Sequence, residues 1–146
     1  GELRRSRAAT LSVIPTKTGA VKACAKIFPH LKGKIDGMAF RVPVPTVSCA
    51  YMAFFLKKDT TEEEVLKVLR AASESPAMKG ILSVSDEQCV SIDFQTDPHS
   101  SIVDAPSMKL VDGKALQLLS WYDNEWGYAM RITEMTMMMG KFLSAK

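Results

Sequence analysis

The densest run of chemically capable residues lies between Ser120 and Tyr128, S-W-Y-D-N-E-W-G-Y, where Tyr122, Asp123, Asn124 and Glu125 supply a phenol, two carboxylates and an amide in succession. Groups of this kind at the edge of a packed layer hold ligands. They also serve a plainer end, in which Asp123 or Asn124 accepts from the first free N–H groups of a helix while Trp126 packs inward as an aromatic anchor. Both uses can coexist. A second set of residues suits an anion: Arg4, Arg5 and Arg7 crowd one short segment, and Thr18-Gly19 stands just before a helix-period run. Arg41 sits alone among apolar neighbours. The guanidinium fork matches phosphate, and a hydroxyl beside the free N–H groups of a helix start makes an anion site. The plainer alternatives are a solvated basic segment, a threonine cap and an arginine paired with a buried carboxylate.

The elements that must position these residues follow from periodicity. Leu116, Leu118 and Leu119 approach the aromatic cluster as a strand, and Met130, Ile132, Met135, Met138 and Phe142 leave it at helical spacing, so a strand-to-helix junction is expected there. Val21, Cys24, Ile27 and Phe28 predict a helix ended by Pro29, and Gly37–Val42 a strand stopped by Pro43 and Pro45. Val47–Leu56, apolar on both parities, predicts a central strand covered on both faces. Thr60 and Thr61, with Glu63 and Glu64 three residues on, form overlapping capping boxes for an amphipathic surface helix. Ile81–Ser85 and Cys89–Phe94 read as strands, and Met108–Leu110 pairs with Ala115–Trp121 across the hairpin signal Asp112-Gly113. The methionines of the last helix are expected to fill a core. Asp97-Pro98-His99-Ser100-Ser101 sets a histidine beside two serines, but no G-x-S-x-G elbow accompanies it and a turn is the better reading.

With 146 residues, 47% of them hydrophobic and 24% charged, the chain predicts one core and one domain. The net charge of +3 is dispersed, without a basic run that would argue for nucleic acid. No apolar stretch reaches the ~18 residues of a spanning helix and the N-terminus lacks a secretory core, which points to a soluble, intracellular protein, cytoplasmic or else plastid, with no membrane partner. Cys24, Cys49 and Cys89 show no C-x-x-C spacing, suggest neither a disulfide framework nor a metal site, and read as small buried hydrophobes.

Five segments taken together resemble phosphorylating glyceraldehyde-3-phosphate dehydrogenase, in that family's order and spacing: R-R-S-R-A-A at Arg4–Ala9, I-P-T-K-T-G-A at Ile14–Ala20, G-M-A-F-R-V-P at Gly37–Pro43, D-P-H-S-S at Asp97–Ser101, and W-Y-D-N-E-W-G-Y. The resemblance implies an α+β fold, a mixed and largely antiparallel sheet with helices on one face. It also implies that residues 1–146 are the C-terminal part of the catalytic domain. Thr18, Gly19 and Arg41 would bind phosphate, with Arg5 contributing from the family's S-shaped loop. Asn124 would hydrogen-bond the nicotinamide carboxamide, and Tyr128 would lie close to the nicotinamide. The cofactor implied is NAD, with NADP equally compatible; the partners are glyceraldehyde 3-phosphate, inorganic phosphate and further copies in a homotetramer.

The family's nucleophilic cysteine, in S-C-T-T-N-C, and its general-base histidine do not occur in this sequence, nor does the G-x-G-x-x-G of a Rossmann domain. Neither the three cysteines nor His30 and His99 replace them, so this chain contributes no catalytic residue of its own. Two expectations follow. One is a part of a working NAD-dependent dehydrogenase that is inactive alone; the other is a non-catalytic interaction module built from the same domain. Ala129-Met130 where the family often has Ser-Asn, and Cys49-Ala50-Tyr51-Met52 where Val-Val-Asp-Leu is usual, mark a divergent member.

Overall fold

Pro43 and Pro45 end an extended segment, and at Pro45 the chain divides. The computed structural model describes residues 3–144, and they fall into two compact units, one ending at Pro45 and one starting at Thr46. Length alone predicted one core.

The first unit opens with short 3-10 turns at Leu3–Ser6 and Ala9–Leu11. It then runs through β1 (Ile14–Thr16), α1 (Ala20–Ile27), a 3-10 turn at Pro29–Leu31, and β2 (Ala39–Arg41). β1 and β2 pair antiparallel, with Ile14 opposite Arg41 and Thr16 opposite Ala39. β1 was not expected, the segment having been read only as the approach to a helix; it contains Pro15, which a two-stranded ribbon tolerates because each of its strands is an edge strand. α1 begins where expected, with Ala20 N donating to Thr18 Oγ1 at 3.1 Å. It stops at Phe28, since the residue before Pro29 disfavours helical backbone.

The second unit holds the main sheet: β3 (Ser48–Phe55), α2 (Glu62–Ser73), β4 (Leu82–Ser85), β5 (Ser101–Asp104), β6 (Lys109–Val111), β7 (Ala115–Tyr122), then α3 (Trp126–Ser144). The strand order is β3-β7-β5-β4, with β6 also paired to β7; only β4 and β5 run parallel. The α+β expectation of a mixed, largely antiparallel sheet therefore holds. β6 and β7 turn at Asp112 and Gly113, both in left-handed backbone (φ 51° and 64°), the pair that matches strand twist in a tight hairpin.

α2 covers one face of this sheet. Val65, Leu66 and Leu69 pack with Met52, Leu82, Val84 and Leu110 against the buried Val103, Met108, Leu116 and Leu118. Its start is a complete capping box: Glu64 N donates to Thr61 Oγ1 at 3.2 Å and Thr61 N to Glu64 Oε2 at 3.1 Å. Thr60 donates its hydroxyl to the same carboxylate at 2.7 Å, so of the two overlapping patterns the one at Thr61 forms. On the opposite face a smaller cluster joins Val47, Phe94 and Ile102 to Cys89 and Trp121.

Several expectations fail here, each for a physical reason. β3 is an edge strand and not a central one; its odd-numbered side chains, among them Cys49, Tyr51 and Phe55, lie open, Phe55 at 90% exposure. Apolarity on both parities thus marks a strand whose second face has no cover within these residues. Cys49 is accordingly exposed, and Cys24 and Cys89 are only partly buried. Cys89–Phe94 is no strand. Asp93 Oδ2 accepts from Val90 N at 2.8 Å and Asp93 N donates to Val90 O at 3.0 Å, which closes a 3-10 turn over Ser91–Phe94 and lays Phe94 on Trp121, ring centroids 5.7 Å apart. β5 escaped notice as a four-residue strand after a turn, yet Ile102, Val103 and Asp104 are all buried. The methionines of α3 do not fill a core: Met135, Met137, Met138 and Met139 are all more than half exposed. No helix among the described residues is long and apolar enough to cross a membrane.

Candidate functional site

Two clusters of polar residues survive folding, one in each unit. In the first unit, Arg5, Arg7, Ala9, Ile14, Thr16, Lys17 and Arg41 line a cavity of about 370 Å³. Pairing of β1 with β2 places Arg41 opposite Ile14, and the turn over Leu3–Ser6 supplies Arg5. Among the described residues, four cations and no carboxylate form this wall. Arg7 Nη1 donates to Leu3 O at 3.0 Å, which holds its guanidinium in place. Among the described residues neither Arg5, Lys17 nor Arg41 forms an ion pair, so the pairing of Arg41 with a buried carboxylate is not what the fold provides. Cations gathered without counter-charge repel one another, and an anion relieves that repulsion. Thr18 and Gly19 lie beyond the lining: Thr18 Oγ1 is engaged by Ala20 N and Gly19 is the helix N-cap. The fold thus joins Arg5 to Arg41, with Thr16 and Lys17 between them. Arg7 was marked only as one of three arginines in a basic segment, and Lys17 was not singled out from the sequence, because a basic side chain in a loop looks the same whether it faces solvent or a cavity.

In the second unit, the β7–α3 junction shapes a groove of about 280 Å³ lined by Ser100, Tyr122, Asp123, Asn124, Gly127, Tyr128 and Arg131. Asp123, only 4% exposed, is its keystone. Its Oδ1 accepts from Glu125 N (3.0 Å) and Trp126 N (2.9 Å), and its Oδ2 from Thr96 N (2.8 Å). Burial pushes this carboxyl up, but the backbone N–H groups of Trp126, Thr96 and Glu125 outweigh burial and leave it below the ordinary aspartate value. Of the two candidate caps, Asp123 does the capping. That frees Asn124, exposed, whose Oδ1 accepts from Ser48 Oγ at 3.0 Å. With its oxygen engaged, the side-chain NH₂ is left to donate outward. Tyr128, 68% exposed, follows one helical turn later.

The groove's floor depends on close approach. Gly127 is buried, and a Cβ there would meet His99 O at 3.1 Å, a tight contact that glycine avoids where the first turn of α3 rests on the 97–101 loop. That loop is a turn, as expected: Asp97 Oδ1 accepts from His99 N at 2.8 Å and lies 2.7 Å from His99 Nδ1, which ties the ring to its own loop. Arg131 fastens the same loop, donating from Nη1 to Gly80 O (3.2 Å) and Ser100 Oγ (3.3 Å) and from Nη2 to Glu134 Oε1 (2.6 Å). Trp126 does not pack inward; it is half exposed, and the anchor is Trp121, stacked on Phe94 with its Nε1 donating to Asp104 Oδ2 at 2.9 Å. Two tryptophans five residues apart around a turn cannot be ranked by sequence, but only Trp121 lies on the strand.

The cysteines show none of the activation a nucleophile needs. Desolvation pushes the Cys49 thiol up, and desolvation together with Asp93, Glu87 and Asp104 pushes Cys89 up, so both favour the protonated, unreactive form.

Residues 1–124 match the family described as glyceraldehyde 3-phosphate dehydrogenase, C-terminal domain. The chain belongs to that family. It is 46% identical over 142 residues to glyceraldehyde-3-phosphate dehydrogenase of Zymomonas mobilis, covering 97% of this chain and 42% of the relative. It is 47% identical over 142 residues to the Mycolicibacterium smegmatis enzyme of the same name, covering 97% and 41%. With that of Borreliella burgdorferi it shares 48% over 141 residues, covering 96% and 42%. The chain therefore spans about two fifths of the length of these dehydrogenases. The dehydrogenase match ends at Asn124, inside the β7–α3 junction, and the relatives carry the similarity onward through α3.

Proposed function

We propose that this chain is the C-terminal part of the catalytic domain of a cytoplasmic, glycolytic, phosphorylating glyceraldehyde-3-phosphate dehydrogenase. The complete protein would also hold a Rossmann domain and the Cys/His catalytic segment. The single observation that carries the reading is the cavity that joins Arg5 to Arg41, without a carboxylate among the described residues that line it, in a chain of this family. In the whole enzyme an aldehyde is attacked by a cysteine thiol, oxidised to a thioester, and released by inorganic phosphate as an acyl phosphate. This chain's part is to bind the phosphate and to orient the cofactor. Arg41 and Arg5 hold the phosphate oxygens by paired N–H donors; Thr18 and Gly19 lie outside the cavity lining, and as the helix start next in the chain they would add a hydroxyl and N–H groups only to a phosphate seated at that edge. Holding phosphate beside the thioester converts a bimolecular attack into an oriented one and screens the charge it carries.

NAD, or NADP, accepts the hydride when bound. The residues present suit that group: Asn124, its oxygen held by Ser48, can donate its NH₂ to the carboxamide oxygen, and exposed Tyr128 offers a ring beside the nicotinamide. The open face of β3 and β7 supports assembly with further copies into a homotetramer.

The test is phosphate-dependent NAD reduction with glyceraldehyde 3-phosphate by the complete protein that carries this sequence, together with its intact mass. Arg41→Ala should raise KM for phosphate at least tenfold, and Arg41→Lys should recover part of it. A native product of 146 residues without activity would replace this reading with the interaction module, which the open sheet face also suits.

A further inference from the structure

Lys17 occupies a position that the dehydrogenase reading leaves unused. It follows Thr16 at the end of β1, lines the same cavity as Arg5, Arg7 and Arg41, and forms no ion pair among the described residues. Thr16 beside it donates its hydroxyl toward Ala39 O, at 3.5 Å, within the ribbon. Arg7 is tethered to Leu3 O, so its charge is fixed on the wall. Lys17 differs from the three arginines in kind: an ammonium on a flexible stem is a point charge without a planar fork, and it adds attraction without dictating geometry.

We propose that Lys17 is a specificity-determining residue of this cavity, supplying the charge that selects a doubly over a singly charged oxyanion. The physical basis is that the attraction between one cation and an anion scales with the anion's charge. Removing Lys17 thus weakens binding of a dianion by about the square of the factor lost for a monoanion. Among the described residues the lining contains no carboxylate and no histidine, and between about pH 5.5 and pH 8 inorganic phosphate passes from mostly singly to mostly doubly charged. The inference rests on the assignment of this cavity to phosphate.

The experiment is titration calorimetry of inorganic phosphate into the complete protein, at about pH 8 and about pH 5.5, for the natural sequence, Lys17→Met, Lys17→Arg and Arg41→Ala. Lys17→Met should weaken phosphate about tenfold at the higher pH and about threefold at the lower, as a charge-assisted contact at an exposed site predicts. Sulfate, a dianion throughout, should lose about tenfold at both pH values, and Lys17→Arg should restore binding of both anions. Equal loss of phosphate affinity at the two pH values, or no loss, overturns the role of Lys17 while a loss in Arg41→Ala leaves the phosphate cavity standing. Failure of the natural protein to bind phosphate overturns both.

Discussion

The hydroxyl of Ser48, at the start of β3, donates to Asn124 Oδ1 at the end of β7 at 3.0 Å, so an edge strand fixes which end of a junction amide faces outward. Ser48 and Tyr122 are directly paired in the sheet, which brings the hydroxyl to the amide two residues further along. Ser48→Ala leaves the sheet intact and removes only this orientation. The complete enzyme should bind NAD about fivefold more weakly, the equivalent of one neutral hydrogen bond at about 1 kcal/mol. Fluorescence titration checks this, with an unchanged thermal midpoint as the control; unaltered affinity would mean Asn124 is oriented by other means.

Asp123 should govern the acid limb of stability. Its folded pKa lies below the unfolded value, because three backbone N–H groups favour the carboxylate more than burial disfavours it. Its contribution is therefore fully present above the ordinary aspartate pKa of about 3.9 and is lost as pH falls through the lower folded value. Asp123→Asn keeps the shape but not the charge. Denaturant unfolding should show a loss of about 1–3 kcal/mol at neutral pH that shrinks toward pH 3, since the natural protein loses the same interaction there.

Gly127 should resist substitution. The Cβ of Gly127→Ala would sit 3.1 Å from a backbone oxygen, His99 O, which cannot swing aside as a side chain can. Relieving the contact asks for a shift of a few tenths of an ångström between the first turn of α3 and the 97–101 loop, and Asn124 and Tyr128 flank that turn. We expect about 1–3 kcal/mol of destabilisation and a larger rise in KM for NAD than for phosphate, whose cavity lies in the other unit. Steady-state kinetics on the complete enzyme separate the two; equal rises would show a general loss of fold.

How much of this was legible beforehand depended on whether the deciding interaction was local. The capping box at Thr61, the Asp112-Gly113 turn, the stop at Pro29 and the β7–α3 junction are set by residues within a few positions of one another, and each appears where its pattern placed it. The turn at Ser91–Phe94 is also closed locally, by Val90 and Asp93, but the apolar pattern of Cys89–Phe94 hides that pairing. The edge position of β3 and the choice of Trp121 over Trp126 are decided by partners far off in the sequence. Lys17 and Arg7 belong to the same class, for only the folded ribbon shows that they face the cavity of Arg5 and Arg41. The exposed methionines of α3 fail differently: helical spacing announces an apolar stripe, but not whether the surface that covers it lies within these residues.

That last point yields a prediction about association. Tyr51, Phe55 and Val111 are exposed on the open face of the sheet, and Met135, Met138 and Met139 on α3, more large apolar surface than a small soluble monomer usually leaves in water. The 146-residue chain expressed by itself should therefore self-associate, and should do so through the sheet more than through α3. β3 also presents an unpaired edge, and backbone pairing along it adds direction to apolar burial. Phe55→Lys puts a charge on that edge strand and Met138→Glu puts one on the helix. In sedimentation velocity, Phe55→Lys should shift the distribution toward monomer and Met138→Glu should shift it less. The reverse order would place the main adhesive surface on α3, and a single sharp monomer for the unaltered chain would show that neither face drives association.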